Sequence, residues 1–345
     1  MTTATMRAAV LDGVRSIRNR RVPIPAMGPA ELLVRVLASG VCGSDLAAYR
    51  GTHPYKTAPV VLGHELCGVV EQVGAQVTGF APGDLVCSAA FSPCDRCAAC
   101  RGGAAHLCSD RANLSHRGWE GSLAEYVVLR ENMTFRLAEH VDPVAGALVE
   151  PLTIGRHAVG LARPDPSVAV LGSGSIGLAC VLAVRRSWRA TVTCVDLGPA
   201  KGRLARAVGA DRYVDAAEED QAAVAERAGP AGVTFVASGH PGVLDQAAAM
   251  TRPGGQVVVV SYFPGPAAVD ANALVRRELT VTGSALSTPE DFAEVIGWVE
   301  RGLVDPRALV THTVELAEAA EAFALADRAD GTVGKVVIRT GTREG

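Results

Sequence analysis

The sequence contains no long apolar run. Nowhere do hydrophobic residues continue without interruption for the roughly 18 positions that a membrane-spanning helix requires. The N-terminal segment also lacks the apolar stretch after a basic start that marks a secretory signal. These absences argue against an integral membrane protein, and we expect a cytoplasmic protein with no membrane partner.

Clusters of basic residues are missing as well. The formal net charge is −3, and no run of lysine or arginine is long enough to follow a phosphate backbone. We therefore expect no nucleic-acid partner. Internal repeats and low-complexity linkers are also absent, and a hydrophobic content of 48% with 20% charged residues is typical of a globular protein with sizeable cores.

The 345 residues exceed what one core usually supports, so two domains are expected. Up to about Glu150, short β-branched runs alternate with glycine and proline, which predicts an all-β, barrel-like unit. The predicted strands of this part are 32–37, 69–73, 84–87 and 125–129.

After Glu150 the pattern changes to continuous apolar runs at 168–171, 191–195, 233–237 and 256–260. Such runs are typical of parallel strands that are buried on both faces. Helix-like segments at 176–186, 199–208 and 242–250 lie between them, which predicts a doubly wound α/β domain. We place the first domain at 1–153 and the second at 154–289. The pattern alone leaves 290–345 open, and we expect this segment to return to the first domain.

A glycine-rich turn follows the first of these apolar runs. The turn reads Gly172-Ser-Gly174-Ser-Ile-Gly177 and opens a helix, so that backbone N–H groups and the helix dipole can meet a pyrophosphate. Alone the motif is weak evidence, but here a strand precedes it and a helix follows. It predicts a dinucleotide site.

The next strand ends in Asp196, whose carboxylate can accept hydrogen bonds from the adenosine ribose and would repel a 2′-phosphate. NAD is therefore favoured over NADP, although Lys201 and Arg203 downstream keep NADP open. The alternative is that Asp196 is a solvated residue at the end of a strand. The expected cofactor-binding residues are Gly172, Gly174, Ile176, Gly177, Asp196 and Lys201.

Four of the nine cysteines lie close together, at Cys94, Cys97, Cys100 and Cys108. The C-x2-C spacing places sulfurs around one tetrahedral Zn²⁺, and four thiolates leave no open position for a substrate. The motif therefore predicts a structural zinc ion. A nucleic-acid-binding zinc ribbon would explain the cysteines too, but the segment offers few basic residues and belongs to a larger pattern.

A second set of candidate ligands is scattered along the chain, at Cys42, His64, Glu65 and Glu150. By spacing alone a single histidine or cysteine is more often a core residue than a ligand. The local sequence makes the difference, because Gly63-His-Glu-x2-Gly68-x5-Gly74-x2-Val77 reproduces the zinc signature of a known family.

The chain resembles the zinc-dependent medium-chain alcohol dehydrogenases along nearly its whole length. Shared landmarks include Cys42-Gly-Ser-Asp, the Gly-His-Glu segment, the four cysteines and the glycine turn. The glutamate in Val149-Glu-Pro makes the chain similar to the sorbitol, polyol and threonine dehydrogenase branch. The resemblance implies a Rossmann domain plus an all-β GroES-like barrel domain that carries zinc. It also suggests a homodimer or a homotetramer.

The resemblance further implies roles for individual residues. Cys42 and His64 become ligands of a catalytic zinc, making two zinc ions per chain with the structural one. The third ligand is Glu150 or Glu65, and we favour Glu150. Asp45 would orient the ligand histidine.

Ser44 would accept the substrate's hydroxyl proton. Some family members have a histidine five residues after the first ligand, but this chain has Ala47. The proton must therefore leave through the cofactor ribose, a water chain or another group. His53 is a candidate for that group, although a single loop histidine is usually idle.

Together these features predict an NAD-dependent zinc alcohol dehydrogenase. It would interconvert a ketone and a small-molecule alcohol, which the sequence leaves open among secondary alcohols, polyols, cyclitols and amino alcohols. One alternative is a zinc-free quinone or enoyl reductase, which would have no use for Cys42, His64 and Glu150 together. Another is a non-catalytic binding protein on a dehydrogenase fold, which would be expected to have lost ligands.

Overall fold

The computed structural model of the chain describes residues 4–116, 118–217, 220–328 and 331–342. The chain divides into two compact units. The first comprises Met1–Glu150 with Phe292–Gly345, and the second comprises Pro151–Asp291.

Strands dominate the first unit, and strands and helices alternate in the second. The strands are β1 (Thr5–Gly13), β2 (Ser16–Pro23), β3 (Glu31–Gly40), β4 (Val60–Val61), β5 (Glu65–Val73), β6 (Leu85–Ser88), β7 (Phe91–Ser92), β8 (Ala112–Asn113), β9 (Tyr126–Arg130), β10 (Thr134–Leu137), β11 (Ser167–Leu171), β12 (Thr191–Asp196), β13 (Arg212–Asp215), β14 (Ala231–Val236), β15 (Thr251–Val259), β16 (Thr280–Gly283), β17 (Val310–Glu315) and β18 (Lys335–Arg339). The helices are α1 (Gly43–Tyr49), α2 (Ala98–Arg101), α3 (Pro143–Ala147), α4 (Val149–Gly160), α5 (Ser175–Ser187), α6 (Pro199–Ala207), α7 (Gln221–Ala228), α8 (Val243–Met250), α9 (Ala271–Arg277), α10 (Pro289–Glu300) and α11 (Ala319–Ala326).

The first unit is built on a seven-stranded sheet in the order β10-β6-β5-β3-β18-β17, with β9 also paired to β3. Strand β3 is buried along nearly its whole length, and its backbone pairs with β5, β9 and β18. A three-stranded sheet, β2-β1-β4, lies over a core that includes Leu11, Leu62 and Phe323.

The C-terminal segment completes this unit. Strand β18 runs antiparallel to β3, with Val337 opposite Gly40 and Arg339 opposite Ala38. This register brings the first residue of β18, Lys335, next to the chain that leaves β3. The last strand therefore contributes a side chain to a region formed by the first 65 residues.

The second unit contains a parallel six-stranded sheet in the order β13-β12-β11-β14-β15-β16. The chain starts at β11 in the middle, proceeds to one edge, and then returns to build the other half. The order therefore reverses between β11 and β14, which is the position where doubly wound sheets bind ligands beyond the carboxyl ends of their strands. Strands β11 and β14 are almost fully buried, as their apolar sequences predicted.

Two details differ from the sequence-based prediction. Strand β15 begins at Thr251, five residues before the predicted start, because Thr251 pairs with Ala231 before a bulge. Within the second unit, strands β13 and β16 and helices α7 and α9 were not predicted. Among the described residues, no helix is long and apolar enough to cross a bilayer.

Candidate metal centre and cofactor-binding loop

Cys42 lies where β3 gives way to helix α1. Its extended backbone makes it the N-cap of that helix, and its N–H donates to a carboxylate oxygen of Asp45 over 3.2 Å. Asp45 is fully buried, and its carboxylate lies in the first turn of the helix, where the helix dipole favours a negative charge. The cap therefore fixes Cys42, Ser44 and Asp45 relative to one another.

His64 and Glu65 lie at the beginning of β5, opposite the end of β3. Glu65 pairs with Gly40 in the sheet register. A Cβ atom at Gly40 would lie 2.1 Å from a Glu65 carboxylate oxygen, so only glycine permits this approach. The pairing brings His64 and Glu65 close to Cys42, and all three are buried or partly buried.

The structure brings together three of the four scattered candidate ligands. The ligand atoms of Cys42, His64 and Glu65 all lie within 4.8 Å of one another. Four donors around one tetrahedral zinc ion are about 3.5 Å apart, given bond lengths of about 2.0–2.3 Å. A thiolate, an imidazole and a carboxylate are also ligands that zinc takes in enzymes, so this donor set fits the metal.

Glu150 is the fourth scattered candidate and is not part of this three-residue group. It is the second residue of α4 and is buried, with 6% of its surface exposed. Burial raises the pKa of Glu150 to about 7, with His64 lowering and Glu65 raising it, so Glu150 lies within electrostatic reach of both. A buried carboxyl group of this kind would be stabilised as an anion by a bound cation.

Asp45 sets the electrostatics of the histidine. Burial and the Lys56 ammonium lower the pKa of His64, but Asp45 and Cys42 outweigh them and raise it to about 10. The carboxylate of Asp45 lies 3.6 Å from Nδ1 of His64. This is the relationship expected of a residue that orients a ligand histidine.

Lys56 is a member of this cluster that no sequence motif indicated. Its buried ammonium donates to Ser44 Oγ over 3.1 Å and to Asp45 Oδ1 over 2.8 Å, and it lies 3.3 Å from His64 Nδ1. The three partners are all predicted site residues. Burial raises the pKa of Asp45, but Lys56 and His64 hold it well below its usual range.

Lys335 is the second unpredicted member, and it comes from the C-terminal strand. Its ammonium donates to both carboxylate oxygens of Glu65, over 2.7 and 2.8 Å, and to the Val41 carbonyl over 3.2 Å. One compositional signal could have drawn attention to both residues. The chain has 33 lysine and arginine residues, of which only Lys56, Lys201 and Lys335 are lysines.

His53 lies on the loop that carries Lys56. Its Nδ1 accepts hydrogen bonds from the backbone N–H groups of Tyr55 and Lys56, over 3.2 and 3.0 Å. Burial and the Lys56 charge lower the pKa of His53 to about 4. Because Nδ1 is occupied, only Nε2 of His53 remains available to exchange a proton with a substrate or with water.

The four clustered cysteines form a second compact group. The ligand atoms of Cys94, Cys97, Cys100 and Cys108 lie within 4.8 Å of one another. Cys97 is the N-cap of α2 and accepts from the Cys100 N–H, which lowers the pKa of the Cys97 thiol to about 6. Four sulfurs at this spacing fit a closed tetrahedral zinc site.

The glycine turn lies between β11 and α5 in the second unit. Gly172 has φ +99°, Gly174 is the N-cap of α5, and Ile176 and Gly177 belong to its first turn. Asp196, at the end of β12, accepts a hydrogen bond from the Ser173 N–H over 2.5 Å. Lys201 is half-buried in the first turn of α6.

Comparison with known families supports this arrangement. Residues 28–139 match the family profile of the alcohol dehydrogenase GroES-like domain, and residues 175–301 match that of the zinc-binding dehydrogenases. The first range contains Cys42, His64 and the four clustered cysteines, and the second contains Asp196 and the whole of α5.

Two curated proteins and one solved structure illustrate the similarity. Sorbitol dehydrogenase of Bacillus subtilis is 29% identical, with 92% of each chain covered. L-idonate 5-dehydrogenase of Vitis vinifera is 30% identical over 94% of this chain and 93% of its own. The crystal structure of 2R,3R-butanediol dehydrogenase from Bacillus subtilis is 30% identical, with a TM-score of 0.85 over 97% of this chain and 100% of its own.

These matches confirm three predictions from the sequence. The fold class is a GroES-like domain with a Rossmann domain, the chain is an oxidoreductase acting on CH–OH groups, and the family uses zinc. The chain belongs to the zinc-dependent medium-chain alcohol dehydrogenases, in the branch of the sorbitol and related polyol dehydrogenases.

Proposed function

We propose that this chain is an NAD-dependent dehydrogenase that oxidises a secondary alcohol of a polyol or diol to a ketone and catalyses the reverse reduction. The observation that carries the proposal is the convergence of Cys42, His64 and Glu65 within 4.8 Å, directly beside Ser44. A structural core seldom gathers a thiol and an imidazole in this way, with two buried carboxylates, Glu65 and Glu150, near them, without a metal.

Cys42, His64 and Glu150 are the residues that we propose to hold the catalytic zinc, with Glu65 beside them. Support for Glu150 over Glu65 comes from Lys335, which engages both oxygens of Glu65. When bound, zinc supplies a Lewis acid that polarises the substrate oxygen and lowers the pKa of its hydroxyl group. The Cys94, Cys97, Cys100 and Cys108 group would hold the second, structural zinc.

Ser44 is proposed to accept the proton that leaves the substrate hydroxyl group. Its Oγ is held in place by the Lys56 ammonium over 3.1 Å. Because Lys56 donates in that contact, the hydroxyl hydrogen of Ser44 points elsewhere, and the second lone pair of Oγ stays available as an acceptor. Ser44 therefore combines an acceptor for the substrate with a donor for the next group in the relay.

NAD is the cofactor that the second unit would bind. The backbone N–H groups at the start of α5 would contact the pyrophosphate, and Asp196 would accept from the ribose hydroxyls. When bound, the nicotinamide accepts the hydride that leaves the substrate carbon. The negative charge of Asp196 favours NAD over NADP, although Lys201 nearby keeps NADP as the second choice.

The substrate class follows from the similar proteins. These are named for sorbitol, L-idonate and 2R,3R-butanediol. Each of these molecules has a secondary alcohol with another hydroxyl group on a neighbouring carbon. We propose that a substrate of this chain has the same pair of groups.

A homodimer or homotetramer is the proposed assembly. Strand β16 lies at the edge of the six-stranded sheet, and Val281 on it is 46% exposed. Tyr262 and Val275 are 82% and 76% exposed in the same unit. Open sheet edges and exposed apolar side chains are often covered in an assembly, and a second copy could extend the sheet symmetrically.

The cytoplasm is the proposed compartment. All nine cysteines lie among the described residues, and none of them forms a disulfide bond. A reducing compartment keeps thiols in this state and available to metals.

The test measures zinc content and activity together. We expect about two zinc ions per wild-type chain and NAD-dependent oxidation of vicinal diols or polyols. Cys42→Ala should lose one zinc ion and all turnover but keep NADH affinity, measured by nicotinamide fluorescence. Cys180→Ala, which removes a buried thiol of the second unit, is the matched control and should keep both zinc ions. Loss of NADH affinity in Cys42→Ala would indicate a folding role instead and contradict the proposal.

A further inference from the structure

Lysine is rare in this chain, yet it is concentrated at the candidate metal centre. Only three of the 33 lysine and arginine residues are lysines. Two of these three, Lys56 and Lys335, are 7% and 2% exposed and contact the residues around Cys42 and His64. In a composition that uses arginine almost everywhere else, two of the three lysines are therefore buried at one site.

Lys335 connects the two chain segments that carry the metal-binding side chains. It donates to the carbonyl of Val41, the residue before Cys42, and to both oxygens of Glu65, the residue after His64. An ammonium group has three N–H donors and no acceptor, so these contacts use its full capacity. The ammonium therefore holds the Cys42 and His64 segments at a fixed separation.

Lys56 has the corresponding position on the other side of His64. It donates to Asp45 over 2.8 Å and to Ser44 over 3.1 Å, and its Nζ lies 3.3 Å from His64 Nδ1. Asp45 in turn accepts from the Cys42 N–H. Each lysine thus pairs with one buried carboxylate that adjoins a metal-binding residue.

Lysine and arginine are not interchangeable in contacts of this kind. A guanidinium is planar and wider, and it presents its donors in a fixed fork. The Glu65 carboxylate that Lys335 contacts is itself closely enclosed, because a Cβ atom at Gly40 would lie 2.1 Å from one of its oxygens. A compact cation on a flexible stem fits such a space and can reach a carbonyl and a carboxylate together.

We propose that Lys56 and Lys335 are positioning residues of the catalytic zinc site, acting as internal counter-ions that hold Asp45 and Glu65 beside the metal and out of its coordination shell. This rests on the proposed function, because it assumes that Cys42 and His64 bind zinc. In this proposal Lys335 is the counter-ion of Glu65, and the two lysines help to determine the affinity of the site for zinc.

If the lysines act as counter-ions, substitution of the lysine and substitution of its carboxylate partner should change zinc affinity in opposite directions. Lys335→Met would release the negative charge of Glu65 toward the metal, so zinc should bind more tightly. Glu65→Gln would leave the positive charge of Lys335 next to the metal, so zinc should bind more weakly. Changes to groups that support metal ligands typically alter affinity by 10-fold to 100-fold, and we expect about 10-fold in each direction.

A purely structural role of Lys335 predicts a different pattern. Both single variants would then loosen the site, and the double variant would be no better. If Lys335 acts as a counter-ion, Lys335→Met with Glu65→Gln removes both charges and should return zinc affinity to within about threefold of wild type. The pair is thus a double-mutant cycle whose sign separates the two roles.

The experiment uses the full-length protein and zinc alone as the probe. Zinc affinity is measured by competition with a chromophoric chelator, and the four-cysteine zinc of the same molecule serves as the internal reference for folding. Cobalt substitution gives a second readout. In Lys335→Met the entry of Glu65 should raise the coordination number, which weakens the visible d–d bands while the Cys42 thiolate band persists. For the second pair we expect the same pattern: Lys56→Met should bind zinc more tightly, and Asp45→Asn should bind zinc more weakly.

The proposal is overturned if Lys335→Met loosens zinc, or if the double variant binds zinc as weakly as Glu65→Gln. Should Lys335→Met not fold, the comparison of Glu65→Gln with the double variant still decides the question. The two proposals fail separately. A wild-type protein with one zinc ion per chain contradicts the proposed function, whereas two zinc ions and equal affinity in all variants contradict the lysine proposal alone.

Discussion

The Asp196 carboxylate accepts a hydrogen bond from the backbone N–H of Ser173 over 2.5 Å. This contact joins the end of β12 to the glycine turn that follows β11. The other oxygen accepts from the Leu197 N–H over 2.7 Å. Asp196 is therefore fixed in orientation, with its negative charge held against the turn that we propose to carry the pyrophosphate.

Asp196→Ala should weaken NADH binding by about tenfold or more, because hydrogen bonds to a charged group contribute about 1.5–3 kcal/mol. NADPH binding should weaken less, because the same change removes a repulsion against the 2′-phosphate. The ratio of the two dissociation constants, measured by fluorescence titration, reports the effect. Asp215, opposite Asp196 in β13, is the matched control, and Asp215→Ala should leave the ratio unchanged. An unchanged ratio in Asp196→Ala would show that another residue contacts the ribose.

Substitutions at two glycines of the turn should distinguish an effect on folding from an effect on cofactor binding. A Cβ atom at Gly177 would lie 1.8 Å from the Gly172 carbonyl oxygen, whereas a Cβ atom at Gly174 would meet nothing within 4 Å. Gly177→Ala should therefore lower the thermal unfolding midpoint. Gly174→Ala should keep that midpoint, but its methyl group would occupy the space of the pyrophosphate and weaken NADH binding. Normal NADH affinity in Gly174→Ala would contradict the proposed location of the phosphates.

The buried parts of the second unit could be predicted because burial on both faces produces a continuous apolar run. Strands β11, β12 and β14 follow this rule. The strands that were missed are the edges of the sheet. Strand β13 has only four residues, with Val214 its one buried residue, and Thr280 and Val281 of β16 are exposed, so neither gives a distinctive pattern. Helix α9 was missed for the same reason, since none of its residues is buried.

The metal centre was predictable only in part. Cys42, His64 and Glu65 belong to short motifs, and a short motif can be recognised in the sequence without knowledge of the fold. Lys335 is separated from Glu65 by 270 residues. The contact exists because β18 pairs with β3, and nothing in the local sequence around either residue announces that pairing. Long-range electrostatic partners of this kind become visible only in three dimensions.

The four-cysteine segment should depend on its zinc for order. Of the four cysteines only Cys108 is fully buried, and Leu107 beside it is 54% exposed, so apolar packing contributes little there. Cys100→Ser should release one zinc ion per chain and expose the segment to trypsin at Arg101, whereas the wild-type segment should resist. Mass spectrometry of the first fragments gives the cleavage site. The released zinc should be the structural ion, so the cobalt spectrum of the Cys42 site should persist, and equal cleavage of the two proteins would show that the segment is stable without metal.

His53 should remain neutral throughout the range in which histidines usually titrate. Burial and the Lys56 charge lower its pKa to about 4 from an ordinary value of 6.5. The folded protein therefore binds fewer protons at His53 than the unfolded chain between those two values. The stability that His53 contributes is fully present above pH 6.5 and is lost as the pH falls toward 4.

Histidine NMR resonances followed from pH 8 to 4.5 test this prediction. The His53 imidazole, assigned by comparison with His53→Gln, should show no transition above about pH 5.5, and the variant should lose less stability than wild type on acidification. Its neutral ring with Nδ1 occupied also makes His53 a poor member of the proton relay. We expect His53→Gln to lower kcat by less than about tenfold, whereas loss of a general base typically costs 100-fold or more. A larger loss of kcat, or a titration midpoint near pH 6.5, would indicate that His53 takes part in the proton relay.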